Sequence, residues 1–192
     1  MSNFYVLKYT DYRYMMLGLD ALDIIRKAPR DIGLEFDDIM AFSRRDTRFA
    51  SWWREPEVSF TPNEGIEKAL IPDVIIWLAG AALVLSPRAY RMLGDLLKVC
   101  GELLPVRVMN ESQPFWIFNC LVKKNVDPAR SAWKYEGDMT IQINSIGFTE
   151  SEDDPVIFKT DFDNCSFLYC SERFKAAVID LELKGLSFSE LP

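Results

Sequence analysis

Residues 71–108 read IPDVIIWLAGAALVLSPRAYRMLGDLLKVCGELLPVRV, and the fold is decided there. Ala82 to Leu85 is an apolar run of strand length. Ser86 and Pro87 follow as a helix start: a hydroxyl to cap the first free N–H groups, and a proline at the first helical position, where its missing N–H costs nothing. A helix is therefore expected from Pro87. Ala89, Met92, Leu93, Leu96, Leu97 and Cys100 recur at three- and four-residue spacing, which gives that helix one apolar face to bury. Gly101 is expected to end it, and Leu104, Val106 and Val108 then alternate as a half-buried strand does.

The same pattern returns near the C-terminus. Phe167 to Cys170 is again a short apolar run, Ser171 stands where Ser86 stood, and Arg173 matches Arg88. Phe174, Ala177, Val178 and Leu181 match Ala89, Met92, Leu93 and Leu96 at one constant offset. Gly185 closes the helix and Leu186-Ser187-Phe188 resumes a strand. Two strand–Ser-x-Arg–helix–Gly–strand units are expected, packed together on a mostly antiparallel sheet in an α+β fold. Both serines read as helix caps rather than nucleophiles.

The segments IPD (71–73), LVLSPRAYRML (83–93), LPVRV (104–108), FWIFNCLV (115–122), VDPARSAW (126–133) and FLYCSERFKAAVIDLELKGLSFSEL (167–191) follow one another in order. In that order and spacing the chain resembles immunity protein family eleven of bacterial polymorphic-toxin systems. The likeness spans about residues 71 to 191, and no single segment is diagnostic. The resemblance implies a non-enzymatic antitoxin that binds one cognate toxin domain and blocks it, the toxin being delivered by a type VI secretion apparatus or a related contact-dependent route.

Composition sets the outer limits. A chain of 192 residues, 49% hydrophobic and 13% aromatic, can bury a real core, either as one continuous domain 1–192 or as an immunity-type domain at 66–192 with a smaller N-terminal lobe at 1–65. No charged-then-apolar leader follows Met1 and no apolar run approaches a membrane span, so a cytoplasmic protein without a membrane partner is expected. Cys100, Cys120, Cys165 and Cys170 form no Cys-x-x-Cys pair and read as small buried hydrophobes. The chain has no histidine, which removes Ser-His and Cys-His nucleophile pairs and the commonest metal ligand. No glycine loop of the phosphate-cradling kind is present. Neither enzyme activity nor a cofactor is expected.

In the N-terminal part, Phe4 to Tyr9 reads as a strand, and a helix is expected from Asp20 as cap to Ala28, where Pro29 stops it. Ile39 to Val58 interleaves Arg44, Arg45, Arg48 and Arg54 with Phe42, Phe49, Trp52 and Trp53. Such a mixture can grip single-stranded nucleic acid. The favoured reading is a helix that buries its rings and solvates its arginines, because residues 1–70 carry ten Lys and Arg against twelve Asp and Glu. Direct nucleic-acid binding is not expected. Pro56, Pro62, Asn63 and Gly65 mark a loop; 110–114 reads as a turn before an aromatic strand at 115–122; Val126 to Tyr135 reads as loop; and Met139, Ile141 and Ile143 alternate with polar residues as a strand with one wet face.

Charge is concentrated late in the chain. Residues 145–192 hold four Lys and Arg against ten Asp and Glu, most of the overall net charge of −7. Glu150, Glu152, Asp153, Asp154, Asp161 and Asp163 are accompanied in their own segment only by Lys159. A calcium loop does not fit, since Cys165 stands where a third oxygen ligand belongs and no closing Glu follows. Paired catalytic carboxylates, or a metal-dependent small-molecule enzyme built on the cluster, form the alternative reading. A loop that only keeps the chain soluble is a further reading, and binding of a basic partner is favoured over catalysis. The six carboxylates can steer a cationic toxin, a nuclease above all, toward its inhibitor. Trp52, Trp53, Trp116 and Trp133 are candidate anchors for such an interface.

Overall fold

The computed structural model describes residues 3–10, 13–30, 33–42, 44–77, 82–136 and 139–192. In chain order the elements are β1 (Phe4–Tyr9), β2 (Met16–Leu17), α1 (Ala21–Lys27), α2 (Phe36–Met40), β3 (Glu57–Val58), β4 (Phe60–Thr61), β5 (Val74–Trp77), β6 (Ala82–Leu85) and α3 (Pro87–Leu97). They continue as β7 (Gly101–Val108), β8 (Phe115–Cys120), β9 (Ala132–Glu136), β10 (Met139–Ser145), β11 (Ile157–Phe158), β12 (Tyr169–Ser171), α4 (Glu172–Asp180) and β13 (Leu186–Glu190). The fold is α+β with mostly antiparallel strand pairing.

The two expected units are present, and each has its own sheet. One sheet has the order β3-β7-β8-β6-β5 and the other β11-β12-β1-β13. In the first, β6 and β7 are both antiparallel to β8, so they run parallel to each other with α3 as the crossover. In the second, β12 and β13 are both antiparallel to β1, with α4 as the crossover. Each unit is thus a split β-α-β with one antiparallel strand inserted between its parallel pair. The inserted strand is the next one along the chain in the first unit. In the second it is β1, from the N-terminal segment that the sequence leaves open as a smaller lobe or as part of one continuous domain. β3 of the same segment pairs in parallel with β7. Residues before 66 are therefore hydrogen-bonded into both sheets.

Both helices lie between the sheets. Ala89, Leu93 and Leu97 of α3 and Phe174 and Val178 of α4 join Leu83, Leu85 and Phe118 of one sheet and Leu7, Ile157 and Cys170 of the other in a single core. Each fully buried Leu or Phe here contributes roughly 2–3 kcal/mol of apolar transfer free energy. The outer face of the first sheet (Ile75, Val84, Val106, Ile117) is covered by the N-terminal segment through Ile24, Phe42 and Phe49. Phe4, Val6, Phe158 and Tyr169 on the outer face of the second meet Ile146 and Phe148. Strand alternation sends neighbouring residues of β1 to opposite cores.

Ser86 accepts from the Ala89 N–H at 3.1 Å, the expected cap. Asp73 of the IPD segment then joins the two units: it accepts from the Ser86 hydroxyl at 3.2 Å, from Arg88 at 3.2 Å and from the Lys184 N–H at 3.0 Å. Arg88 also donates to the Leu181 carbonyl at the end of α4, at 2.6 Å. The motif residues Asp73, Ser86 and Arg88 thus form a seam between the units. Ser171 differs from Ser86, since it stands at the N-cap position without a side-chain capping bond and donates to the Val156 carbonyl at 3.5 Å.

Several expectations are corrected. Gly101 does not end α3, which stops at Leu97, but opens β7. A Cβ there would collide with the Asn119 carbonyl oxygen and lie 2.9 Å from the Phe118 ring, so glycine lets the two strands approach. Gly185 does take the positive φ expected after a helix, +110°. Met92, assigned to the apolar face of α3, is 50% exposed. The Ile39–Val58 segment buries Phe42 and Phe49 and exposes its arginines, yet it is not a helix beyond Met40. Its backbone is held from outside, by Glu102 accepting from the Phe49 and Ala50 N–H groups and by Asn119 donating to the Thr47 carbonyl. Residues 132–135, read as loop, belong to β9, which pairs with β10. On β10, Ile143 is half-buried between the exposed Gln142 and Asn144, while the Met139 and Ile141 side chains lie outside the described residues. The Asp20-capped helix is α1, closed by a reciprocal capping box with Asp23.

Candidate partner-binding groove

The six acidic residues do not form one cluster. They divide among three environments, because the fold brings in cations from distant segments. The strand that ends at Cys120 runs into Val122-Lys123-Lys124, which passes alongside residues 154–161. The Lys159 N–H donates to the Val122 carbonyl at 3.0 Å and the Lys124 N–H to the Lys159 carbonyl at 2.9 Å, so the two segments lie side by side.

Asp154 is largely enclosed, its side chain 11% exposed, and forms an ion pair with the buried Lys124. The Lys124 ammonium also lies 5.4 Å from the centroid of the Phe4 ring. Asp161 is 77% exposed and pairs with Lys123 at 2.9 Å. The hydrogen bond from Lys123 holds the Asp161 carboxyl below, and the Lys123 ammonium above, its ordinary range. Lys123 reaches a second carboxylate, Asp46, at 3.5 Å, which ties the arginine-rich segment to this face.

Asp163 is buried, in the short 3-10 turn Asp161–Asp163 before β12. It accepts from the Tyr169 hydroxyl at 2.7 Å and the Ser166 N–H at 3.2 Å. Burial pushes its carboxyl above the ordinary range, and burial likewise raises the Tyr169 phenol.

Glu150, Glu152 and Asp153 remain. All three are exposed, with no hydrogen bond or ion pair among the described residues. Glu152 and Asp153 stand on the rim of an open groove of about 530 Å³. Its far wall is Val99 and Cys100 after α3, its floor Val122 and Val156, and Lys123, Lys124 and Arg173 also line it. Val99 is one of the most exposed apolar side chains in the described chain. An open groove with exposed carboxylates, an exposed arginine and an apolar wall suits a macromolecular surface better than an enclosed ligand. Sequence reading missed Lys123, Lys124 and Arg173 as members of this site. The available signal was the Lys-Lys pair directly after an aromatic strand, together with the repeat position of Arg173.

The tryptophans divide too. Trp53 donates to the Pro105 carbonyl at 2.8 Å, and Trp52 packs edge-on against Phe49, so both serve the core beneath the first sheet. Trp116 stacks on Tyr90 at 4.0 Å, and Trp133 stacks on Phe162 at 5.2 Å beside Asp163. The four cysteines are buried and unbridged, and burial pushes the Cys120 thiol up to about 12. Among the described residues no group of three His, Cys, Asp or Glu side chains is placed to hold a metal ion. No helix of the described chain is long and apolar enough to cross a membrane.

Compared with known proteins, the chain matches no family model and gives no significant match to a curated protein.

Proposed function

We propose that this chain is an immunity protein, a stoichiometric inhibitor that binds one cognate bacterial toxin domain. The observation that carries the reading is the placement of Glu152 and Asp153, exposed, without partners among the described residues, and lining a groove that has an apolar wall, with the equally exposed Glu150 two residues before them in the chain. Unpaired carboxylates repel one another and contribute nothing to folding, so their grouping is better explained by a cation that arrives from outside. The motif order that resembles immunity protein family eleven supports the same assignment.

The partner that fits is a basic protein domain. A nuclease needs a positive groove for phosphate, and an acidic inhibitor can cover that groove or the surface beside it. Glu150, Glu152 and Asp153 act at long range and accelerate encounter, while Val99 and the exposed arginine give short-range fit. Asp154, Asp161 and Asp163 support this surface by holding the loop in place. The inhibitor acts in the cytoplasm, where such a nuclease would find its substrate, and delivery of the toxin by a type VI or related contact-dependent route follows from the family resemblance.

The test is co-expression in a bacterium of this chain with the toxin domain encoded directly upstream of it. Restored growth and recovery of a one-to-one complex are the expected results; no rescue and no complex would reject the assignment.

A further inference from the structure

A second opening of about 510 Å³ lies between the β9–β10 hairpin and the C-terminal sheet, apart from the groove of Glu152 and Asp153. Its walls are aromatic: Trp133 from the hairpin, Phe167 from the loop before β12, and Tyr169 from β12. Two carboxylates line it, the buried Asp163 and the exposed Glu190 on β13, against one cation, Lys8 on β1.

We propose that this pocket takes an arginine side chain presented by a protein partner. An aromatic ring attracts a cation through its quadrupole, and a guanidinium, planar and weakly hydrated, stacks on such faces better than an ammonium does. One wall already holds a cation supplied from within, the Lys8 ammonium lying 5.0 Å from the Phe167 centroid. The half-buried Trp133 offers a further ring, and the buried Tyr169 closes the pocket from β12. Glu190 supplies the neutralising charge at the mouth, and Asp163, which orients the Tyr169 hydroxyl, supplies it at depth. The pocket is fixed by rigid neighbours, with Trp133 stacked on Phe162 and Tyr169 stacked on Phe158. The proposal rests on the immunity reading only for the identity of the partner.

The test needs no toxin. Among the indole N–H signals of the labelled protein, that of Trp133 is assigned by its loss in Trp133→Phe and followed while N-acetyl-arginine amide is added. N-acetyl-citrulline amide, isosteric and neutral, is the control, and N-acetyl-glutamate amide is the anionic one. The arginine probe should shift the Trp133 signal saturably and the other two should not. Glu190→Gln should weaken the arginine probe about threefold or more, and Lys8→Gln, which removes the competing internal cation, should tighten it about twofold. Both residues are exposed, so neither change threatens the fold. Absence of a saturable shift, an equal response to citrulline, preference for the glutamate probe, or unchanged affinity in Glu190→Gln would overturn the proposal. Arginine binding without rescue from any toxin would reject the immunity reading alone, and rescue without arginine binding would reject the pocket alone.

Discussion

The ammonium of Lys159, 1% exposed, lies 3.4 Å from the carboxylate of Asp46, so a buried cation next to the acidic segment is compensated from the arginine-rich segment of the N-terminal part. Lys123 reaches the same carboxylate at 3.5 Å. Asp46 is the point at which these two parts of the chain meet electrostatically.

Removing one partner of a buried pair weakens the compensation of the charge that stays behind, whereas replacing that buried charge does not. Asp46→Ala should lower stability by about 1–2 kcal/mol, less than a fully buried pair would because Asp46 is itself half exposed. Lys159→Met should cost less than Asp46→Ala or nothing. Chemical denaturation midpoints of the two variants check this, and the reverse order would refute it.

Charge reversal separates steering from folding. Glu150→Lys, Glu152→Lys and Asp153→Lys combined should leave the fold intact and slow toxin association by about tenfold or more at low salt, with a weakened salt dependence. Asp154→Lys or Asp163→Lys should instead unfold the protein, because the first puts a second cation beside Lys124 in an enclosed site and the second buries an ammonium where the Tyr169 hydroxyl needs an acceptor. Stopped-flow association and circular dichroism read the two effects.

The two units predict unequal responses at equivalent serines. Ser86→Ala removes a capping bond and one ligand of Asp73, and should cost about 1–2 kcal/mol. Ser171→Ala, which loses only a long bond to the Val156 carbonyl, should cost about 0.5 kcal/mol or less. Thermal melts of the pair are sufficient.

Gly101→Ala should be among the most damaging small substitutions, at about 2–3 kcal/mol, because its methyl group meets the Asn119 backbone and no side-chain movement relieves the overlap. Denaturation of this variant beside Gly94→Ala, whose Cβ meets only the Tyr90 and Leu103 side chains, makes the comparison.

Asp163 gives a pH dependence with a defined sign. Its folded-state pKa lies above the unfolded value, so the folded state holds more protons between the two. Stability contributed by protonation is present below the ordinary carboxylate range and lost as pH rises through the folded pKa of Asp163. Asp161 acts oppositely, its pKa being lowered by Lys123, and its small exposed contribution is lost as pH falls. Asp163→Asn should flatten the falling limb of the stability profile above pH 4.

The first unit was legible in sequence because its signals are local: a serine cap, a proline, and apolar residues at helical spacing. The second was legible by likeness to the first. What could not be read was long-range. Nothing in FYVLKY indicates that it inserts between strands at 169–171 and 186–190, and the Ile39–Val58 segment shows alternating aromatics whose backbone is satisfied by Glu102 and Asn119 rather than by a helix. The candidate site was half legible. Carboxylates close in sequence invite reading as one cluster, whereas side-chain direction sends Asp163 inward, Asp154 to Lys124, and only Glu150, Glu152 and Asp153 to solvent.

The place of β1 in the second sheet bears on when the protein begins to work. On the ribosome the first strand is made early and must wait, unpaired, for partners at 169–171 and 186–190. The second sheet, with the walls of its pocket, can close only after residue 190 has left the exit tunnel, so closure of so distant a contact is a comparatively slow event. Until that closure the walls contributed by Phe167, Tyr169 and Glu190 are not assembled, and any contact that uses the pocket waits for the finished sheet.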